Sequence, residues 1–304
     1  MKYRSSPLTE RNYEPDKSIN ILLMVMEKLR DPVSGCRWDI QQNHISLASY
    51  AIEEAYEVEQ AAKEGNPLSL KEELGDLLFQ VIFQSRIAEE NKDFNFADVV
   101  KGITIKMIER HPHVFKQKNI SLDPIELEGQ WEKIKSKERQ QKQTHKQNSS
   151  ISILDDIPTT MPSLLRSEKL QKRVSNVGFD WPDPVGALEK IYEELDEVFQ
   201  AAGKNILEPI TNGKDKEKNQ NQEHIHEEIG DLLFSCVNLS RKFSINPETA
   251  LRDANYKFER RFRDLESLFH DRKEEIENIS MENLNKAWDL VKLKEKQLRS
   301  SKQK

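Results

Sequence analysis

The chain carries one acidic signature twice, and that repetition limits what it can fold into more than any other feature. The first copy is Glu53-Glu54-Ala55-Tyr56-Glu57 followed by Glu72-Glu73-Leu74-Gly75-Asp76. The second is Glu193-Glu194-Leu195-Asp196-Glu197 followed by Glu227-Glu228-Ile229-Gly230-Asp231. Within each segment two acids stand three residues apart, so on a helix they share a face and repel one another. A divalent cation relieves that repulsion. Four convergent carboxylates per half are hard oxygen ligands suited to Mg²⁺, which keeps several waters for a phosphate substrate to displace.

Charged stripes usually mark solvated helix faces, and a third of this chain is charged. The second acidic segment resists that reading. Leu74, Leu77, Leu78, Phe79, Val81, Ile82 and Phe83 cover nearly the whole helix circumference and leave only Glu73, Asp76 and Gln80 polar. Residues 229–239 repeat the pattern around Glu228, Asp231 and Ser235. An apolar circumference predicts a buried helix, where carboxylates are costly unless paired or bound to metal. Gly75 and Gly230 occupy equivalent places, and a glycine inside a helix costs roughly 1 kcal/mol relative to alanine. Close approach of another backbone is the expected compensation.

Helical periodicity dominates elsewhere, as in Phe258, Phe262, Leu265 and Phe269 at i, i+4, i+7 and i+11, and alternating β-branched runs are absent. The fold class is therefore all-α, a tandem repeat of two helical domains. Residues 136–150 are polar without an apolar period and read as a linker, separating a domain of residues 1–135 from one of residues 151–304. A second polar tract, residues 211–223, interrupts the latter between its acidic segments. A net charge of −6 argues against nonspecific nucleic-acid binding. Two distant cysteines suggest neither a disulfide framework nor a zinc site, which favours a reducing, cytoplasmic setting, and no segment is long enough to span a membrane.

The repeat extends past the acids. Lys106 and Arg110, then Trp131 and Lys135, follow in the first half; Lys257 and Arg261, then Trp288 and Lys292, follow in the second, each pair spaced i, i+4. Singly, such residues are solvated faces or core tryptophans, but their recurrence in one order argues for a shared task. Carboxylates to hold metal, Lys and Arg for phosphate oxygens and Trp for a base make a coherent set. Hydrolysis of nucleotide phosphates by a metal-activated water is the leading reading. No P-loop, kinase glycine loop or Rossmann glycine motif is present.

At this point the chain resembles the two-domain MazG-type nucleoside triphosphate pyrophosphohydrolases. The likeness rests on Gly35-Cys36-Arg37-Trp38-Asp39, the two acidic segments and Arg110-His111-Pro112-His113-Val114-Phe115 in the first half. In the second it rests on Val177-Gly178-Phe179-Asp180-Trp181, the acidic segments and Lys257-Phe258-Glu259-Arg260-Arg261-Phe262. The resemblance implies an all-α homodimer that uses Mg²⁺, with Mn²⁺ as an alternative, to cleave nucleoside triphosphates to monophosphates and pyrophosphate. It implies metal ligands Glu54, Glu57, Glu73 and Asp76 in one half and Glu194, Glu197, Glu228 and Asp231 in the other. Phosphate and base contacts map to Lys257, Arg261, Trp288 and Lys292, and to Lys106, Arg110, Trp131 and Lys135. It also places catalysis mainly in the C-terminal half, on Glu193, Glu194, Glu197, Glu228 and Asp231. Two rival readings stand beside it. One is a ferritin-like di-iron protein, which expects Glu-x-x-His pairs where this chain has Glu or Asp. The other is a non-catalytic helical scaffold.

Overall fold

The computed structural model describes residues 18–115, 152–203, 216–271 and 274–302, together with residues 123, 127, 129–131, 134 and 138. Among them every regular element is a helix. The chain divides into two compact units, Met1–Lys146 and Gln147–Lys304. Of the polar stretch 136–150 only Glu138 is described; it is helical and pairs with Arg110 at 2.6 Å. The rest of that stretch lies outside the described residues.

In the first unit α1 (Ser18–Leu29), α2 (Arg37–Gln41), α3 (His44–Glu64), α4 (Pro67–Glu90), α5 (Phe96–Arg110) and α6 (Pro112–Phe115) follow in order. Asn43 opens α3 with a capping box shared with Ser46. Gly65 closes it in the left-handed conformation, at φ 68°, where a side chain would be strained. Asn66 then caps α4, whose first residue is Pro67. So short a connection turns α4 back antiparallel to α3, which brings the two acidic segments side by side. Beneath them Met26, Leu47, Ile82, Phe83 and Ile87 form the buried core, with Leu22, Leu23, Phe79 and Phe96 packed against it. Arg30 pairs with Glu90 at 2.7 Å and donates to the backbone carbonyls of Asp39 and Gln42, fastening α2 to this core.

The second unit comprises α7 (Ser163–Ser175), α8 (Pro184–Ala202), α9 (Lys216–Lys242), α10 (Pro247–His270), a 3₁₀ turn (Ile276–Asn278) and α11 (Met281–Lys302). Helices α8 and α9 are the counterparts of α3 and α4, and α7 packs on α9. Leu265 and Phe269 from α10 meet Ala287 and Val291 from α11 in a separate buried cluster. The polar tract 211–223 is not wholly a loop. From Lys216 onward it is the start of α9, because Lys, Glu and Gln are good helix formers and need no buried face to continue a helix already packed further along. Residues 204–215 lie outside the described residues.

Two expectations change. Among the described residues nothing lies within 4 Å of where a Cβ would stand at Gly75 or Gly230, so no described backbone of its own unit crosses either glycine. Nor are α4 and α9 buried all round. Leu74, Leu78 and Val81, at i, i+4 and i+7 on α4, are exposed, as are Ile229, Leu233 and Cys236 in the same register on α9. The apolar circumference exceeds what the helices of one unit cover, which leaves a stripe for something else. Among the described residues no helix is long and apolar enough to cross a membrane.

Candidate metal centres

Each hairpin gathers acids from both of its helices. In the first unit carboxylate oxygens of Glu54, Glu57 and Glu73 lie within 4.8 Å of one another; in the second those of Glu194, Glu228 and Asp231 do so. The fourth acid of each quartet is coupled to its trio. Burial raises the Glu54 carboxyl above the ordinary glutamate range, and the charges of Asp76 and Glu57 raise it further. Desolvation, then Glu57 and Asp76, act on Glu73 in the same direction. Desolvation, then the charge of Glu194 and a hydrogen bond with it, raise Glu197. Carboxyls pushed toward their neutral form by burial and by one another would be returned to the charged form by a divalent cation.

The donor set fits such a cation on a further ground. Glu194 is 4% exposed, and its Oε2 is buried without a hydrogen-bond partner among the described residues. An anionic oxygen left unpaired in that setting is costly, and a cation ligated by the trio would satisfy it. Glu193, next to it, is exposed and turned to Lys190 at 2.9 Å.

The two centres differ in the cations the protein itself supplies. Lys190 stands 2.7 Å from Glu194, and the hydrogen bonds to Glu194 and Glu193 hold its ammonium above the ordinary lysine range. His224 Nδ1 lies 3.2 Å from Glu228. The matching positions in the first unit are Tyr50, whose ring packs edge-on against Trp38 at 5.9 Å, and Ser69. Lys190 was not singled out from sequence; its place four residues before Glu194, on the same helix face, was the available signal.

The basic and aromatic residues form a second constellation. Arg261 pairs with Glu295 at 2.7 Å, Lys292 pairs with Asp289 at 2.7 Å, and Trp288 packs on Phe258 with ring centroids 5.5 Å apart. Lys257 is exposed and has no ion-pair partner among the described residues. In the first unit Arg110 pairs with Glu138 at 2.6 Å, Trp131 meets His111 edge-on at 5.3 Å, and Lys106 is half-buried. Lys135 lies outside the described residues. Glu138 and Glu295 each follow the tryptophan by seven residues, so an Arg–Glu clamp recurs in both units, and that shared spacing had been legible.

A cavity of about 810 Å³ adjoins the second centre only at its acid end, where Lys190, Glu194 and Asp231 line it. None of Lys257, Arg261, Trp288 and Lys292 lies on its wall. That volume is within the range of small-molecule sites, about 300–1,000 Å³.

Hairpins that each gather acids from both helices, one beside a ligand-sized cavity, define an all-α protein with two acidic clusters that could hold a metal ion. The chain belongs to the MazG nucleotide pyrophosphohydrolase domain family, whose pattern matches residues 42–115 and again residues 185–265. Both matches contain a complete quartet. The chain is 41% identical over 277 residues to the nucleoside triphosphate pyrophosphohydrolase of Escherichia coli K12, covering 91% of this chain and 98% of that protein. It is likewise 41% identical over 271 residues to the nucleoside triphosphate pyrophosphohydrolase/pyrophosphatase MazG of Thermotoga maritima, covering 89% and 94%.

Proposed function

We propose that this protein hydrolyses nucleoside triphosphates to nucleoside monophosphates and pyrophosphate, with the C-terminal centre as the principal site. Membership of the family and near full-length similarity to two pyrophosphohydrolases support the hydrolase reading. The observation that carries the choice of centre is local. The second quartet adjoins both Lys190 and a cavity large enough for a nucleotide, and in the first unit Tyr50 stands at the position of Lys190.

Glu194, Glu197, Glu228 and Asp231 would hold Mg²⁺, or Mn²⁺, and Glu54, Glu57, Glu73 and Asp76 would form the corresponding first-unit set. When bound, the cation supplies charge neutralisation for the triphosphate and lowers the pKa of a water. The remaining tasks fall to the chain. Lys190, on the cavity wall, is positioned to take phosphate oxygens once Glu194 is engaged elsewhere. Lys257, exposed and without an ion-pair partner among the described residues, adds charge for the phosphates, whereas Arg261 pairs with Glu295 and orients the helix that carries Lys257. Glu193 keeps Lys190 over the site from the outer side.

A second copy of this chain covers the exposed stripes on α4 and α9. Like faces pair isologously in a two-fold dimer, and the open space over Gly75 and Gly230 lets a facing helix approach closely. Leu233→Asp, which leaves every acid in place, should convert the dimer to monomer in light scattering; an unchanged mass removes this face as the interface. The activity itself is tested with a panel of nucleoside triphosphates and Mg²⁺, scored for pyrophosphate against orthophosphate. Release of orthophosphate alone would overturn it.

A further inference from the structure

The two acidic clusters carry the same acids and unlike neighbours. Seven residues after Glu73 stands Gln80; seven after Glu228 stands Ser235, each on an unbroken helix. Residues 73, 76 and 80 of α4 share one helix face, so Gln80 continues the stripe of Glu73 and Asp76. It is 8% exposed, and its Oε1 is buried without a hydrogen-bond partner among the described residues. Its amide is turned to the acids of α3. Burial and then the charges of Asp76 and Glu57 raise the Glu54 carboxyl, and a hydrogen bond from Gln80 opposes them.

A buried amide oxygen left unmet is costly, and a donor or a cation removes the cost. The oxygen is of a suitable kind. Carboxylates and amide carbonyls together suit Mg²⁺, Ca²⁺ and Mn²⁺, and the carbonyl adds a ligand without adding charge. Gln80 bears on one member of the trio Glu54, Glu57 and Glu73, whose oxygens already lie within 4.8 Å of one another.

At the corresponding corner of the second centre the neighbour is a charge. Lys190 stands 2.7 Å from Glu194 and 2.9 Å from Glu193, and the first unit has Tyr50 in its place. The influence of the ammonium reaches further: Glu197, raised by burial and by Glu194, is drawn back by the charge of Lys190. The charges that raise Glu54 and Glu73 are those of Asp76, Glu57 and Glu72. A divalent cation entering the second centre therefore competes with an ammonium already on Glu194, whereas one entering the first meets acids and a neutral amide.

We propose that the first centre is the tighter cation site of the two, and that Gln80 completes it with a neutral oxygen where the second unit sets Lys190 beside its acids. Affinity for the cation and fitness for turnover then fall on different units. The assignment rests on the reading that both quartets hold a cation, and not on the hydrolysis.

The test uses the full chain and Mn²⁺ alone, with bound and free ion separated by the spin-resonance signal of the free ion. The tightest uptake should be lost in Glu73→Gln and kept in Glu228→Gln. Gln80→Met, close in size to the original, should weaken that uptake about tenfold to a hundredfold, with the melting temperature in EDTA unchanged. Gln80→Lys, which gives the first centre a charge like that of the second, should weaken it further. Lys190→Met should instead tighten uptake in the Glu73→Gln background, where only the second centre is intact. Loss of the tightest uptake in Glu228→Gln rather than Glu73→Gln would overturn the order of the two centres. A lowered melting temperature in Gln80→Met with Mn²⁺ uptake unchanged would make the amide a packing residue and overturn its part in the site. Pyrophosphate release enters none of these measurements, so failure of the hydrolase reading would leave their outcome standing.

Discussion

The two helical hairpins carry the same acids in the same register and differ in what surrounds them. In the first, Glu54, Glu57 and Glu73 stand over a core closed by Phe83, and Tyr50 occupies the place of a lysine. In the second, Glu194, Glu228 and Asp231 stand beside Lys190 and a cavity. Matching sets of acids thus stand in unlike surroundings. Room for the substrate, and a charge to meet it, are separate requirements that the acids do not encode.

The largest expected effect breaks the symmetry of the acids directly. Glu228→Gln should lower kcat by about a thousandfold, as loss of several kcal/mol of charge stabilisation requires, with helicity by circular dichroism retained. Glu73→Gln in the intact protein should cost far less. Equal losses would mean two working sites, and the reverse order would exchange their roles. A fragment beginning at Ile151 should likewise retain most of the activity, measured as pyrophosphate released per site.

Stability should show the opposite asymmetry. Phe83→Ala removes a fully buried ring from the first core and should cost about 3–5 kcal/mol in urea unfolding. Asn238→Ala, at a cavity wall, should cost about 1 kcal/mol, the usual net value of a hydrogen bond such as the one it accepts from Arg241. Comparable costs would mean that the second unit is filled as tightly as the first.

A smaller effect is expected at the phosphate end. Lys257→Ala should lower kcat/KM by an amount equivalent to about 1.5–3 kcal/mol for every nucleotide alike. A loss confined to one base would assign Lys257 to base recognition instead.

Least in magnitude is the response to pH. Folded Glu54, Glu73 and Glu197 titrate above their unfolded values. Their contribution to stability is then fully present below the unfolded pKa, about 4.3, and is lost as pH rises through the folded values. Mg²⁺ should recover it only above that window. Melting temperatures with EDTA and with Mg²⁺ should therefore diverge as pH rises toward neutrality; a constant difference across the range would deny the cation a place among these acids.

The helices, the doubled quartets and their pairing across each hairpin were all legible in the chain, because acids three apart on a helix must share a face and a repeated pattern must fold alike. Family likeness was legible for the same reason. Tertiary structure alone decided the rest. Apolar periodicity marks a face as buried without saying against what, so Leu78 and Leu233 looked like core and lie open in a single chain. That Arg261 pairs with Glu295, 34 residues on, appears only once the chain is folded. Above all, Asn238 and Phe83 are only two residues on two helices until packing makes one the wall of a cavity and the other the filling of a core. Whether a position holds space or mass depends on every neighbour that closes around it, and those neighbours come from helices far apart in the chain.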